Sequence, residues 1–343
     1  MAVDLPDEIL SEILTPALHV SDELFCRTSG TPFATYTEST SVLLVVPKDW
    51  LRVSTPLLYN VVVLRSKAQA KALDATLKQN ASLGRFIKKL RVEGGFGQHM
   101  HGILKTAVNI TDVHLSLLLH SSDSSSGLVL GLPLINPKRL ILSDDYEHPL
   151  GNKHVVPLLN TLEICAKNWT NLATVIFPYE DITHHRASIL LTLCDAPRVT
   201  TISFPSPPFG PGITTYFDKI AENPSLHTIE IRGEHVHKWA KRNLPLPDGS
   251  RLAKVVKLVD TSVPRSNLPL ARFKPPICLP ANASFRPMAS SPQTTTDIIW
   301  DRVLFFALNF PFSPTTAMAL IQARIPFTYE TSPVHIHEDV IPP

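Results

Sequence analysis

The sequence predicts an α/β protein, with a short helical unit at the N-terminus, a repeating array of strands and covering helices, and a capping helix near the C-terminus. Three observations carry this reading. An apolar stripe of helical period opens the chain at residues 5–14, short alternating apolar segments return every twenty-odd residues from residue 86, and proline accumulates beyond residue 260 before a second strongly apolar helical stretch. A chain of 343 residues is long enough to bury its own core without disulfide or metal staples.

Composition narrows the class. Lys and Arg number 32 against 30 for Asp and Glu, so no field of one sign draws nucleic acid or an anionic membrane, and neither is expected as a partner. Charged residues make up 18%, apolar ones 44%, and Pro 31 residues, the composition of apolar elements joined by many Pro-punctuated turns. Cys26, Cys165, Cys194 and Cys278 form no C-x-x-C pair, so neither a zinc ribbon nor a redox motif is predicted, and reduced thiols fit a cytoplasmic or nuclear protein. Asp4, Asp7 and Glu8 stand where a secretory leader would carry basic residues, so no export signal is expected. The run at 298–310 contains Asp301 and Arg302 and is shorter than the ~20 residues of a membrane span; it reads as a packed helix. The Asn-x-Ser/Thr triplets at Asn80, Asn109, Asn168 and Asn282 are accordingly expected to stay unmodified.

In L-P-D-E-I-L-S-E-I-L at residues 5–14, Leu5, Ile9, Leu10, Ile13 and Leu14 recur at helical spacing, with Asp7, Ser11 and Glu12 on the other side. Pro6 suits a first turn, Asp7 and Glu8 complement the positive helix end, and Pro16 is expected to end the helix after about three turns. Residues 41–59 read S-V-L-L-V-V-P-K-D-W-L-R-V-S-T-P-L-L-Y, with Ser54 or Thr55 placed to cap a new turn at Pro56, so two short helices are expected there. The Ser/Thr-rich stretch 21–41 between the blocks reads as a mobile loop.

These two blocks resemble the F-box, especially as it occurs in fungal F-box proteins, over about the first 65 residues. The resemblance implies a three-helix unit that docks on the Skp adaptor of cullin-RING ubiquitin ligases. It assigns the docking positions to Leu5, Pro6, Ile9, Leu10, Ile13 and Leu14, with Trp50 and Leu51 from the second block. Two features depart from the family pattern: the loop between the blocks is long, and Pro47 stands where a helix-compatible residue, often Cys, is usual. The residues alone also admit a simpler reading, in which the stripe packs against the rest of this chain.

From residue 86 the strand signals are 87–92, 111–115, 138–142, 161–164, 199–204, 226–231 and 253–258, with Leu90, Val113, Leu140, Leu162, Ile202, Ile229 and Val256 as equivalent positions. The interval from Leu162 to Ile202 is too long for one unit, and residues 172–177 offer a degenerate extra strand inside it. Residues 98–108 and 214–222 read as covering helices, and 66–80 as a connecting helix capped by Ser66 with Ala68, Leu73 and Leu77 on one face. A strand and a helix at this period resemble a leucine-rich-repeat solenoid, by spacing more than by motif. The competing arrangement is an ordinary α/β domain with strands in another order. The predicted organisation is an F-box-like unit at 1–65, a connecting helix at 66–85, an irregular leucine-rich-repeat-like solenoid at 86–260, a Pro/Ser-rich linker at 261–296 and a C-terminal capping segment at 297–343.

Chemistry is sparse. The paired histidines His99 and His101, His184 and His185, His235 and His237, and His335 and His337 lack a third ligand at diagnostic spacing, so no metal is expected. The turn Gly94-Gly95-Phe96-Gly97 fits neither phosphate-loop pattern, and no G-x-S-x-G or H-E-x-x-H occurs. No catalytic residue and no cofactor are predicted. The expected function is that of a non-enzymatic substrate receptor, holding an unknown target protein through strand positions such as Arg91 and Glu163 and an Skp–cullin complex through the N-terminal unit. The alternative is a repeat scaffold with no connection to ubiquitin.

Overall fold

In a computed structural model the structure describes residues 6–28, 33, 48–120, 123–143, 153–177, 190–192, 196–210, 212–247 and 249–261. The expected linker and capping helix beyond 261, Leu5, and the first part of the second F-box-like block lie outside the described residues.

Eight strands form one parallel sheet in strict chain order: β1 (Val61–Leu64), β2 (Lys89–Val92), β3 (Asp112–Ser116), β4 (Arg139–Ser143), β5 (Thr174–Ile176), β6 (Thr201–Phe204), β7 (Thr228–Gly233) and β8 (Val256–Asp260). The register aligns Val62, Leu90, Val113, Leu140, Val175, Ile202, Ile229 and Val256 across all eight strands. Successive strands are therefore 28, 23, 27, 35, 27, 27 and 27 residues apart along this row. Six of the seven positions taken as equivalent from the sequence lie in this row. The exception is Leu162, which lies in a helix; Val175, in the degenerate strand, takes its place.

The alternation that read as a strand at 161–164 is a fragment of a longer period. Over α7 (Val155–Asn168), Val155, Leu158, Leu159, Leu162, Cys165 and Ala166 are buried, the 3- and 4-residue spacing of a helix face. The sheet also begins before residue 86, at V-V-V-L of β1, whose first three residues are half-buried and show no alternation to mark them as a strand.

One face of the sheet is sealed by helices. Leu90 and Val92, Val113 and Leu115, Leu140 and Leu142, and their counterparts through Ile229 and Ile231 join a single apolar core. That core takes in buried residues of α4 (Lys67–Gln79), α5 (His99–Thr106), α6 (Ser126–Gly131), α7, α8 (Ile213–Glu222) and α9 (Val236–Asn243). Ser66 caps α4 by accepting from the Gln69 N–H, as expected, although Ala70 rather than Ala68 is the buried alanine. Ser250 caps α10 (Arg251–Val255) in the same way, and this helix takes the residues from which the last strand was expected to start.

The turns leaving the strands are tight. Gly97 N–H donates to the Ser124 carbonyl (2.8 Å), and a side chain at Gly95 would stand 2.6 Å from that oxygen, so the Gly94–Gly97 turn packs backbone to backbone against the segment entering α6. Replacing Ile202, fully buried in the shared core, with Ala is expected to cost about 2–5 kcal/mol in urea unfolding, whereas Ile164→Ala, on the exposed side of α7, is expected to change stability by less than about 0.5 kcal/mol.

Candidate binding surfaces

At the N-terminus α1 (Asp7–Leu18) packs on α3 (Lys48–Asn60), which runs directly into β1. Both helices pass through a proline that the sequence reading took as a boundary. Pro16 lies in the last turn of α1, where few backbone bonds remain to be lost. Pro56 lies inside α3, and Ser54 and Thr55 cap no new turn: both hydroxyls donate back to the Leu51 carbonyl, at 3.4 and 2.7 Å. Arg52 of α3 grips Asp7 of α1 with both terminal nitrogens, Nη2 to Oδ1 at 2.6 Å.

The apolar stripe of α1 divides into two rows. Leu10, Leu14 and Leu18 are buried, while Ile9 and Ile13 are 43% and 50% exposed. Leu10 and Leu14 thus hold the helix in place and leave Ile9 and Ile13, one turn apart, as its outward apolar pair. Of the other docking positions, Pro6 is exposed and Trp50 and Leu51 are half-buried.

The sheet face opposite the helices carries the other alternates, and over β2–β4 the chain covers that face itself. The stretch expected to be a mobile loop contains α2 (Asp22–Cys26), capped by Ser21 Oγ accepting from the Leu24 N–H. It is held by groups far away in sequence. Asp22 accepts from Lys89 Nζ (2.6 Å) and from both terminal nitrogens of Arg139 (2.7 and 2.6 Å), and Arg139 Nε reaches Asp112 (2.5 Å). The bonds from Arg139 hold the Asp22 carboxyl well below the usual carboxylate range.

Beneath α2 lies a buried polar cluster. Arg91, 2% exposed, donates Nε–H to Glu93 (2.7 Å) and Nη1–H to the carbonyls of Phe25 (2.9 Å) and Arg27 (2.8 Å), and its guanidinium lies 5.3 Å from the centre of the Phe33 ring. Arg91 therefore anchors this segment and is not available to an outside target; Glu163 lies on α7, away from any strand. His114, fully buried, meets the Phe25 ring edge-on with centroids 6.1 Å apart. The two hydrogens of Arg91 Nη1 go to the two carbonyls, so the His114 proton is assigned to Nδ1, which donates to the Phe25 carbonyl (2.8 Å) and leaves Nε2 buried without a partner. Burial, reinforced by the Arg91 charge, pushes the His114 pKa down to about 3.

No cluster of three or more His, Cys, Asp or Glu residues able to hold a metal occurs among the described residues. Burial pushes the thiols of Cys26 and Cys165 up to about 11, which keeps both protonated near neutrality. His99, from one of the histidine pairs, pairs through Nδ1 with Asp74 Oδ2 (2.9 Å), which also accepts from Lys78 (2.8 Å), and so ties α4 to α5. No helix among the described residues is long and apolar enough to cross a membrane. No protein-family model matches the chain, and no curated protein or solved structure matches it.

The buried histidine gives a pH dependence whose sign is fixed. His114 stays neutral in the folded chain down to about pH 3, whereas the unfolded chain takes up a proton below about 6.5, so stability is complete above that pH and falls with acidification towards 3. Urea unfolding at pH 7 and pH 5 is expected to differ by about 2 kcal/mol on this account. His114→Asn should lose that difference, and an unchanged pH dependence in the variant would assign it to another group.

Proposed function

We propose that the chain is a non-catalytic substrate receptor of an SCF-type cullin-RING ubiquitin ligase, with the α1–α3 hook docking on the Skp adaptor and the repeated strand–helix array acting as a solenoid that holds a target protein. The observation that carries this reading is the division of α1. Leu10 and Leu14 fasten the helix while Ile9 and Ile13 stay in solvent, so the L-P-D-E-I-L-S-E-I-L segment offers a partner an apolar pair on an anchored support. Exposed large aliphatic side chains on a fixed helix suit a docking contact, since little ordering remains to oppose binding.

The solenoid part of the reading is supported by the sequence-ordered sheet and its 27-residue interval through β5 to β8. In such a receptor the chemistry belongs to other subunits, and this chain contributes by raising the effective concentration of its target. A cytoplasmic or nuclear location follows from that role.

Co-purification of the full chain with an Skp adaptor tests the hook. Ile9→Asp with Ile13→Asp is expected to weaken the complex at least about tenfold without loss of helical circular dichroism, and Glu12→Ala, on the polar side, to leave it intact. Unchanged adaptor binding by the folded double variant would overturn the docking assignment and favour the scaffold reading, in which α1 is only an N-terminal cover.

A further inference from the structure

A cavity of about 650 Å³ runs along the end of the sheet at which the chain enters β3 to β7, and Lys138, Arg198 and His227 are among its lining residues. The ladder that aligns Asp112, Arg139, Thr174, Thr201 and Thr228 sets the residue before each of them in one row. Backbone bonds confirm the row: Lys138 N to Thr111 O (2.7 Å), Ala173 N to Lys138 O (2.8 Å), Thr200 N to Ala173 O (2.9 Å) and His227 N to Thr200 O (2.9 Å). Four strand intervals make it roughly 19 Å long, the length of about six extended residues.

The turns behind this row are fixed by cross-links between successive units. Asn136 Nδ2 donates to Thr170 Oγ1 (2.8 Å), and its Oδ1 accepts from the Asn171 N–H (3.0 Å). Ser225 Oγ donates to the Pro197 carbonyl (2.8 Å), and Asn109 Nδ2 to the Arg85 carbonyl (3.2 Å). Thr170 accepts in its bond with Asn136 and so keeps its own hydroxyl proton for a ligand.

The charge of the lining is of one sign. Lys138 and Arg198 both line the cavity, both are exposed, and neither has an ion-pair partner among the described residues. Among the described residues no carboxylate lines the cavity; the nearest one in the ladder, Asp112, is held by Arg139 and Thr111. Lys138 directly precedes β4, and Arg198 lies two residues before Thr200 of the row, so the two cations enter strands two intervals apart with hydroxyl and amide groups between them.

We propose that this groove binds an extended acidic peptide segment of about six residues, with two of its anionic groups on Lys138 and Arg198. The proposal rests on the reading of the chain as a protein-binding receptor and names the kind of target segment it would take. A peptide fits better than nucleic acid, because among the described lining residues His227 is the only ring able to stack a base, and the near-neutral chain has no broad positive field to attract a polyanion. Carboxylates and phosphates would satisfy the same donors.

Fluorescence anisotropy of the full chain, without any adaptor present, tests the groove independently of the hook. The probes are labelled hexapeptides of alternating Glu and Ser, the same peptide phosphorylated on Ser, an alternating Lys and Ser control, and a single-stranded oligonucleotide of matching charge. One or both acidic peptides are expected to bind more tightly than the Lys control, and which of them does so tells carboxylate from phosphate recognition. Lys138→Glu with Arg198→Glu should weaken that binding at least tenfold, and Lys71→Glu, on α4 outside the lining, should leave it within twofold. Equal affinity for acidic and basic peptides, full binding by the double variant, equal weakening by Lys71→Glu, or a preference for the oligonucleotide would each overturn the proposal.

Discussion

The described part of this protein is organised by one constraint: each strand pairs in parallel with the strand before it, in a register that keeps its aliphatic alternates on the helix side. Parallel neighbours cannot be joined by a tight turn, so each step along the sheet needs a crossover, and here the crossovers carry the helices that cover those alternates. Leu90, Val113, Leu140, Val175, Ile202 and Ile229 then form a continuous layer in which each residue is buried by its neighbours in the units on either side. A unit removed from this array would expose its half of the layer, so stability is shared between units rather than local to each. The first strand shows how the array is started. The chain passes from α3 into β1 without a loop, and α3 packs on the 3-10 turn at 81–86, so the N-terminal hook also covers the first unit.

Satisfying the helix side leaves the other face of the sheet without a cover, and over β2–β4 a polar solution is used. A buried guanidinium needs acceptors on several sides. The end of a short helix supplies them, because its last carbonyls have no partner within the helix. Arg91 takes the Phe25 and Arg27 carbonyls at the end of α2, while Asp22 at its start meets Lys89 and Arg139, so both ends of the five-residue helix are fixed by strands. Such a network is expected to determine where the segment lies more than how stable the fold is, since buried charges give back much of their attraction as desolvation. Asp22 reaches two strands at once because Lys89 and Arg139 flank Asp112 in the ladder.

What could be read from the sequence is what depends on local period. The register row was legible at Leu90, Val113, Leu140, Ile202, Ile229 and Val256 because apolar alternation at one sheet face survives in a four- to six-residue window. The same window misled at 161–164, where T-L-E-I alternates by accident inside a helix whose period shows only over the whole of residues 155–168. β1 gave no alternation because V-V-V-L is apolar at every position. The seating of α2 was illegible for a different reason: the helix is too short to show a period, and the partners of its Asp22, Lys89 and Arg139, lie 67 and 117 residues away. The prolines at 16 and 56 were read by intrinsic preference, and packing of α1 on α3 overrode it. On α1 the sequence identified the apolar residues but not their division, because whether Leu10 or Ile9 faces inward is decided by where α3 lies.

These covers determine what is left for a partner. On the helix side the aliphatic layer is sealed, and over β2–β4 the opposite face is taken by the chain's own α2. The strand face from β5 to β8 carries Thr174, Thr201 and Thr228 in one row and Ile176, Ser203, Glu230 and Lys257 in the next; Ser203 is buried and of these residues only Lys257 is exposed, so this face offers a partner little. Apolar gain is available at Ile9 and Ile13, and unpaired cationic charge at the strand-entry edge, so the two surfaces differ in the kind of partner they can hold. Neither surface has to be assembled on binding. Ile9 and Ile13 are carried on a helix fastened by Leu10 and Leu14, and Lys138 belongs to a backbone row bonded strand to strand. A scaffold built this way loses little conformational freedom when it is occupied, so a modest contact area can still give useful affinity at either place.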